Sequence, residues 1–190
     1  MRIQYNSPVI LTFTLLSAAV LFLTQFLGLS FLEPWFRVCP DVSMANPLSW
    51  PRLLTHVIGH ANTAHLVGNF TLILLIGPIL EEKYGSKDIL IMVLVTALLT
   101  GILQVTLFHN ECLLGASGIV FLLIILSSFT NFQSGKIPLT FILVVVLFLG
   151  KEILGAFGED QVSQFAHIIG GICGAIFGFV LESGQRKKKK

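Results

Sequence analysis

An all-α membrane protein, a bundle of six transmembrane helices with a long external connection between the first two, is the fold this sequence predicts. Three observations carry that reading. The chain is 54% hydrophobic and only 12% charged, with a mean hydropathy of +0.87, far more apolar than a soluble domain of its length. Its apolar residues fall into six runs, most of them near the ~20 residues that a spanning helix needs. Between these runs no stretch is left for a soluble domain, so residues 1–190 read as one membrane domain.

The first run, residues 8–30, opens with Pro8, which suits the first turn of a helix. It is long and lacks a small-residue cleavage site after it, so it reads as a mature helix and not as a signal peptide. The connection at 31–62 carries Pro34, Pro40, Pro47 and Pro51 with Trp35 and Trp50, and reads as a loop lying partly in the membrane interface. The second and third runs, 64–80 and 88–108, are parted by Gly85 and Ser86. Ser134 and Gly135 part the fourth and fifth, 113–132 and 137–157. The sixth covers 163–182 and precedes a basic tail at 183–190, in which Arg186 to Lys190 stand together. Because this cluster follows a spanning segment and has no aromatic-basic patch, it reads as a cytoplasmic anchor on anionic lipid and excludes a nucleic-acid partner.

Charge asymmetry sets the orientation. With the N-terminus inside, Arg2, Lys83, Lys87, Lys136 and the tail lie on the cytoplasmic side, against Arg37, Arg52 and Lys151 outside. Both termini are then cytoplasmic, as in a multi-pass protein of a bacterial inner membrane. Cys39, Cys112 and Cys173 are too few and too scattered for a disulfide framework or a cysteine-rich metal site, and read as packing residues.

Candidate chemistry gathers at the external ends of the even-numbered runs. The polar connection His109-Asn110-Glu111 turns into an apolar helix through Leu113-Leu114-Gly115-Ala116-Ser117-Gly118. A serine at a helix start faces unpaired backbone N–H groups and the positive end of the dipole, which stabilise charge on its oxygen or on an oxyanion beside it. Gly115 and Gly118 leave room for a substrate backbone. Alone, that pattern fits an N-cap serine among small packing residues better than a catalytic one. In the sixth run Gly170, Gly174 and Gly178 form a stripe at helical spacing, and His167 lies on the same face one turn earlier, at the depth of Ser117. Since a glycine stripe lets helices approach closely, the histidine rides on the face pressed to a neighbour. In the second run His65 and Asn69, four apart, share a face and supply N–H donors for an oxyanion. A metal site is disfavoured: no Asp or Glu occurs between Asp41 and Glu81, and no HExxH is present. No cofactor is implied.

The series His60 to Asn69, Gly115-Ala116-Ser117-Gly118 and Ala166-His167-Ile168-Ile169-Gly170-Gly171 resembles the rhomboid family of intramembrane serine proteases. The resemblance covers nearly the whole chain. It implies a rhomboid-like bundle in which Ser117 is the nucleophile and His167 the general base, a dyad without a third acid. Asn69, His65 and the Ser117 N–H would form the oxyanion hole, and transmembrane helices whose outer ends unwind would be the substrates. It further implies that Glu81 matches an acid near the cytoplasmic end of the second helix, and that His56 and His60 brace the first loop. Phe121 would stack under the catalytic imidazole where relatives often have tyrosine. The family's Trp-Arg pair is altered to Trp50-Pro51-Arg52, with Arg52 keeping its spacing to His56. The fifth run, with Gly150 and Gly155, would serve as a gate and residues 158–163 as its cap.

Three rivals share parts of this pattern. A rhomboid-like protein that only binds transmembrane helices would keep the fold, but such relatives usually lack the serine or the histidine. A small transporter would call for an inverted repeat and midplane charges, and neither is found. A Ser117-Lys151 dyad would use a different base, yet Glu152 beside Lys151 points to an exposed ion pair. The motifs leave the oligomeric state open.

Overall fold

The computed structural model of the chain describes residues 3–43, 45–129, 139, 142, 143, 146, 147 and 161–188, with the side chains of the last segment described from Gln164 to Leu181. The fifth apolar run, the gate and cap assigned to it, Lys151 and Glu152 lie almost wholly outside these residues. The rest is mostly helical: α1 Pro8–Leu21, α2 Arg52–Thr55, α3 Thr63–Tyr84, α4 Ser86–Leu107, α5 Ser117–Ser128 and α6 Gln161–Lys188. Among the described residues, four helices are long and apolar enough to cross a membrane: Pro8–Phe26, Thr63–Tyr84, Ser86–Leu107 and Gln164–Leu181.

Lipid-type solvation explains why these helices carry apolar residues on both faces. On α3, Phe70, Ile73 and Leu80 are buried, whereas Leu74, Leu75 and Ile79 are exposed, an arrangement that would be costly in water and is neutral in hydrocarbon. The central helix is α5. It packs against α3, α4 and α6 and buries residues from Gly118 to Leu126 almost without interruption, so its uniform hydrophobicity reflects protein on all sides.

At the start of α1 the polar groups are satisfied by a partner distant in sequence. Pro8 stands at the first position of α1, and Ser7 before it gives no side-chain cap. The missing cap is Glu81 on α3, whose two carboxylate oxygens accept the Val9 and Ile10 N–H groups at 3.0 Å each. The acid assigned to structure by resemblance thus holds the start of α1 to the far end of α3, with negative charge at the positive end of a helix.

Element boundaries depart from the hydropathy pattern in four places. The first run is α-helical only to Leu21, continues as a π-turn over Phe22–Phe26 and stops at Gly28, whose φ of +69° no continuing helix adopts. The connection between α1 and α3 contains 3-10 turns at Ser30–Phe36 and Pro47–Ser49 besides α2, consistent with its prolines. The fourth run begins as a helix at Ser117 and not at 113, because Leu113 pairs as an isolated antiparallel bridge with Val38 and Gly115 takes a φ of +117°. The sixth helix runs through the basic tail to Lys188, since lysine and arginine end a hydrophobic run without ending a helix.

The cysteine reading needs correction. Cys39 and Cys112 form a disulfide across 73 residues of sequence, and only Cys173, buried and free, behaves as a packing residue. Composition conceals the bond because one pair is no framework. The signal was topological: both residues fall on the side that the charge count places outside, where thiols oxidise.

Candidate active site

Ser117 is the first residue of α5. Ala116 precedes it as an N-cap without a capping side chain, so the first amides of α5 stay directed at whatever lies before the helix. The chain reaches this point through a sequence of holds. Leu113 exchanges two backbone hydrogen bonds with Val38, at 2.9 and 2.7 Å. Gly115 N–H donates to His56 O at 2.9 Å, and the Ala116 N–H points at His60 Nε2 at 3.4 Å. Gly115 combines its positive φ with a close neighbour: an added Cβ would stand 2.6 Å from His65 Cε1 and 2.7 Å from its Nε2. Glycine is required there on both counts.

His60 connects two of the predicted residues, Asn69 and His65, to the segment before Ser117. Its Nδ1 lies 3.1 Å from the Ile58 carbonyl, which can only accept, so Nδ1 carries the proton and Nε2 is an acceptor. That acceptor meets Asn69 Nδ2 at 3.1 Å as well as the Ala116 N–H. The His60 and His65 rings meet edge-on with centroids 5.0 Å apart. Asn69, His60, His65 and the residues leading into Ser117 therefore form one cluster. Burial lowers the His60 pKa to about 4, which keeps Nε2 free to accept. His56, wholly buried and also lowered to about 4 by desolvation, donates from Nε2 to Ala97 O on α4 at 3.1 Å.

His167 arrives on α6. Its ring stacks on Phe121 with centroids 4.3 Å apart and planes within 7°. The two helices meet backbone to backbone beside the candidate pair: a Cβ on Gly118 would stand 3.2 Å from Ala166 O, and one on Gly170 would overlap Gly118 O and stand 2.8 Å from Gly118 C. Further along the stripe, a Cβ on Gly174 would come within 2.5 Å of Leu122 O. Gly118 adjoins Ser117, and its two neighbours on α6, Ala166 and Gly170, lie one and three residues from His167. This backbone packing places the segments that carry Ser117 and His167 against each other.

The connection between α1 and α3 is fastened from one side by Arg52. It is buried, and its guanidinium forks onto Asp41 (Nη1–Oδ2 2.7 Å, Nη2–Oδ1 2.9 Å) while Nε donates to Arg37 O at 2.9 Å. The Arg52 hydrogen bond holds the Asp41 carboxyl below its usual pKa. Asp41 was not foreseen; an arginine placed in a loop needs a carboxylate nearby, and Asp41 is the acid in the same connection after Glu33. Trp50 is half-exposed and takes no part in that fork. Among the described residues no group of histidine, cysteine and acid side chains could hold a metal.

A multi-pass helical membrane protein with polar residues clustered at one end of its bundle is thereby defined. Residues 47–184 match the family model described as the Rhomboid domain, and the chain belongs to the rhomboid family. It is similar to Rhomboid-related protein 1 of Caenorhabditis elegans, 32% identical over 142 residues, which cover 68% of this chain and 39% of that protein. Rhomboid protease GlpG of Haemophilus influenzae is 24% identical over 139 residues, 72% of this chain and 71% of GlpG. RHOMBOID-like protein 7 of Arabidopsis thaliana is 31% identical over 136 residues, 68% of this chain and 42% of that protein. The matched region thus spans about two fifths of the length of the two eukaryotic relatives.

Proposed function

We propose that this chain is an intramembrane serine endopeptidase that cuts transmembrane substrates near the external membrane face, in a six-helix bundle with both termini cytoplasmic. The observation that supports the reading is the backbone contact of Gly118, next to the helix-start Ser117, with Ala166 and Gly170, which flank a histidine stacked on Phe121. In the proposed reaction His167 takes the proton of Ser117 Oγ as it attacks the scissile carbonyl. The oxyanion is met by the first amide of α5 and by N–H groups of Asn69 and His65. His167 then protonates the departing amine, and water hydrolyses the acyl-enzyme with His167 again as base.

Depth favours an intramembrane reaction. The 12 residues of α5 span ~18 Å at 1.5 Å each, well short of the ~30 Å hydrocarbon core. Starting from the cytoplasmic surface, α5 would bring Ser117 only part of the way to the other face, where a spanning helix that unwinds presents its carbonyls. The Cys39–Cys112 bond supports an external location for that end.

A fluorophosphonate probe tests the proposal. The detergent-purified protein should become labelled at Ser117 and should cleave a model transmembrane substrate, and both should vanish in Ser117→Ala. Folded protein that does neither would be a binder of transmembrane helices instead.

A further inference from the structure

The disulfide lies beside the segment that leads into Ser117, and nothing in the proposed chemistry uses it. Cys112 is the immediate neighbour of Leu113, and Cys39 of Val38. The covalent bond and the two Val38–Leu113 hydrogen bonds therefore make one clasp, with the cysteine Cα atoms 4.2 Å apart. On one side of the clasp is the connection that follows α1; on the other, four residues before Ser117, is the approach to α5. Other holds on this approach are single hydrogen bonds, Gln104 Nε2 to Glu111 O at 2.9 Å, Gly115 to His56 and Ala116 to His60, the last of them long at 3.4 Å, besides the packing of Leu113 on Ala166. Cys39 precedes the region matched by the family, residues 47–184, so the clasp is not part of what that match describes.

We infer that the Cys39–Cys112 bond is a positioning element of the active site, fixing the approach segment so that Ser117 and the first amides of α5 keep the geometry that attack on a carbonyl needs. The inference rests on the serine protease reading above. A clasp four residues from the nucleophile acts on placement, and placement errors near 1 Å cost about 100-fold in rate. The bond is open to control from solution, because Cys112 is exposed while Cys39 is buried. A water-soluble phosphine can cleave it: two electrons and two protons pass to the sulfurs, and the phosphine takes up oxygen from water.

The experiment uses the full chain in detergent. Maleimide tagging after denaturation should find one thiol of the three cysteines before reduction, Cys173, and three afterwards. Three thiols in the unreduced protein would overturn the inference. Reduction of the folded wild type, well below its unfolding temperature, should lower kcat and the rate of fluorophosphonate labelling of Ser117 by about tenfold or more. KM should stay within about twofold, and reoxidation should restore the rate. The Cys39→Ser/Cys112→Ser variant should match the reduced wild type and ignore the reductant; if it does not fold, the wild-type comparison still decides. Equal labelling and kcat in the oxidised and reduced states overturn this inference alone. An oxidised protein that neither labels nor cleaves overturns it together with the protease reading. A merely structural bond would change the unfolding temperature and leave both rates at the working temperature unmoved.

Discussion

Replacing Gly170 by alanine adds one methyl group at the point where α6 touches α5. The added carbon would overlap Gly118 O and stand 2.8 Å from Gly118 C and 3.0 Å from Gly118 Cα, whereas ordinary contact begins at 3.4 Å. Every atom it meets is backbone, so no side chain can swing aside, and the helices must part by about 1 Å. Overpacking of this kind costs about 1–3 kcal/mol of stability, which a bundle this size tolerates. The larger effect falls on geometry, because Gly118 follows Ser117 and Gly170 lies one turn from His167: a shift of about 1 Å predicts a loss near 100-fold in kcat/KM. The control is Gly171→Ala, whose Cβ would meet only Ile125 Cγ1 at 3.6 Å and should leave activity within about twofold. Both variants and wild type would be assayed on the same model substrate, with folding checked by thermal unfolding. Wild-type activity in a folded Gly170→Ala protein would refute the claim that this contact sets the spacing of serine and histidine.

Three further outcomes follow from contacts already described. Glu81→Gln keeps one carbonyl acceptor for the start of α1 but loses the charge that complements its dipole, so stability should drop by about 1–3 kcal/mol while activity of the folded fraction is retained; an unchanged unfolding temperature would count against the cap. Asn69→Ala should cut kcat by about 100- to 1,000-fold if it supplies an oxyanion donor, with KM little altered; normal turnover would reduce Asn69 to a partner of His60. His56 and His60 have folded pKa values of about 4 against an ordinary 6.5, so from pH 6.5 down to 4 the unfolded chain binds protons that the folded chain refuses. Stability should therefore fall as pH falls through that window, by about 1.4 kcal/mol per unit for each histidine. A flat unfolding temperature between pH 7 and 4 would contradict this.

How far each feature could be read from the sequence follows from the range of the interaction behind it. Gly170, Gly174 and Gly178 declare their shared face through helical periodicity, which is local, and the face is indeed the one on which α6 meets α5. Gly85 declares the break between α3 and α4 for the same reason, and takes a φ of +86°. The start of α5 was misjudged because hydropathy counts Leu113 and Leu114 as helix, whereas Val38, more than seventy residues away, pulls Leu113 into a bridge. Arg52 was visible as a cation in a loop, but its partner Asp41 depends on how that loop folds back. The disulfide is a further long-range case: neither cysteine sits in a motif, and only a topology that brings both to one end of the bundle makes them neighbours.

The same consideration of range explains why His60 is the residue on which the cluster depends. Its proton is fixed on Nδ1 by a carbonyl two residues back, a local contact, and that leaves Nε2 as a buried acceptor facing two donors on other elements, the Asn69 amide on α3 and, far along the chain, the Ala116 N–H before α5. An imidazolium could accept neither, so the depressed pKa is a condition of the arrangement as well as a result of burial. Asn69 commits one amide hydrogen to His60 and keeps the second, and its rotamer is set by the bond already made. In the proposed reaction the donor is thus oriented before substrate arrives, which is the requirement for electrostatic stabilisation to act without reorganisation in the transition state. The loop, the second membrane helix and the helix that begins with Ser117 are joined through a single neutral ring, and that is why a residue that touches no reacting atom still bears on the chemistry.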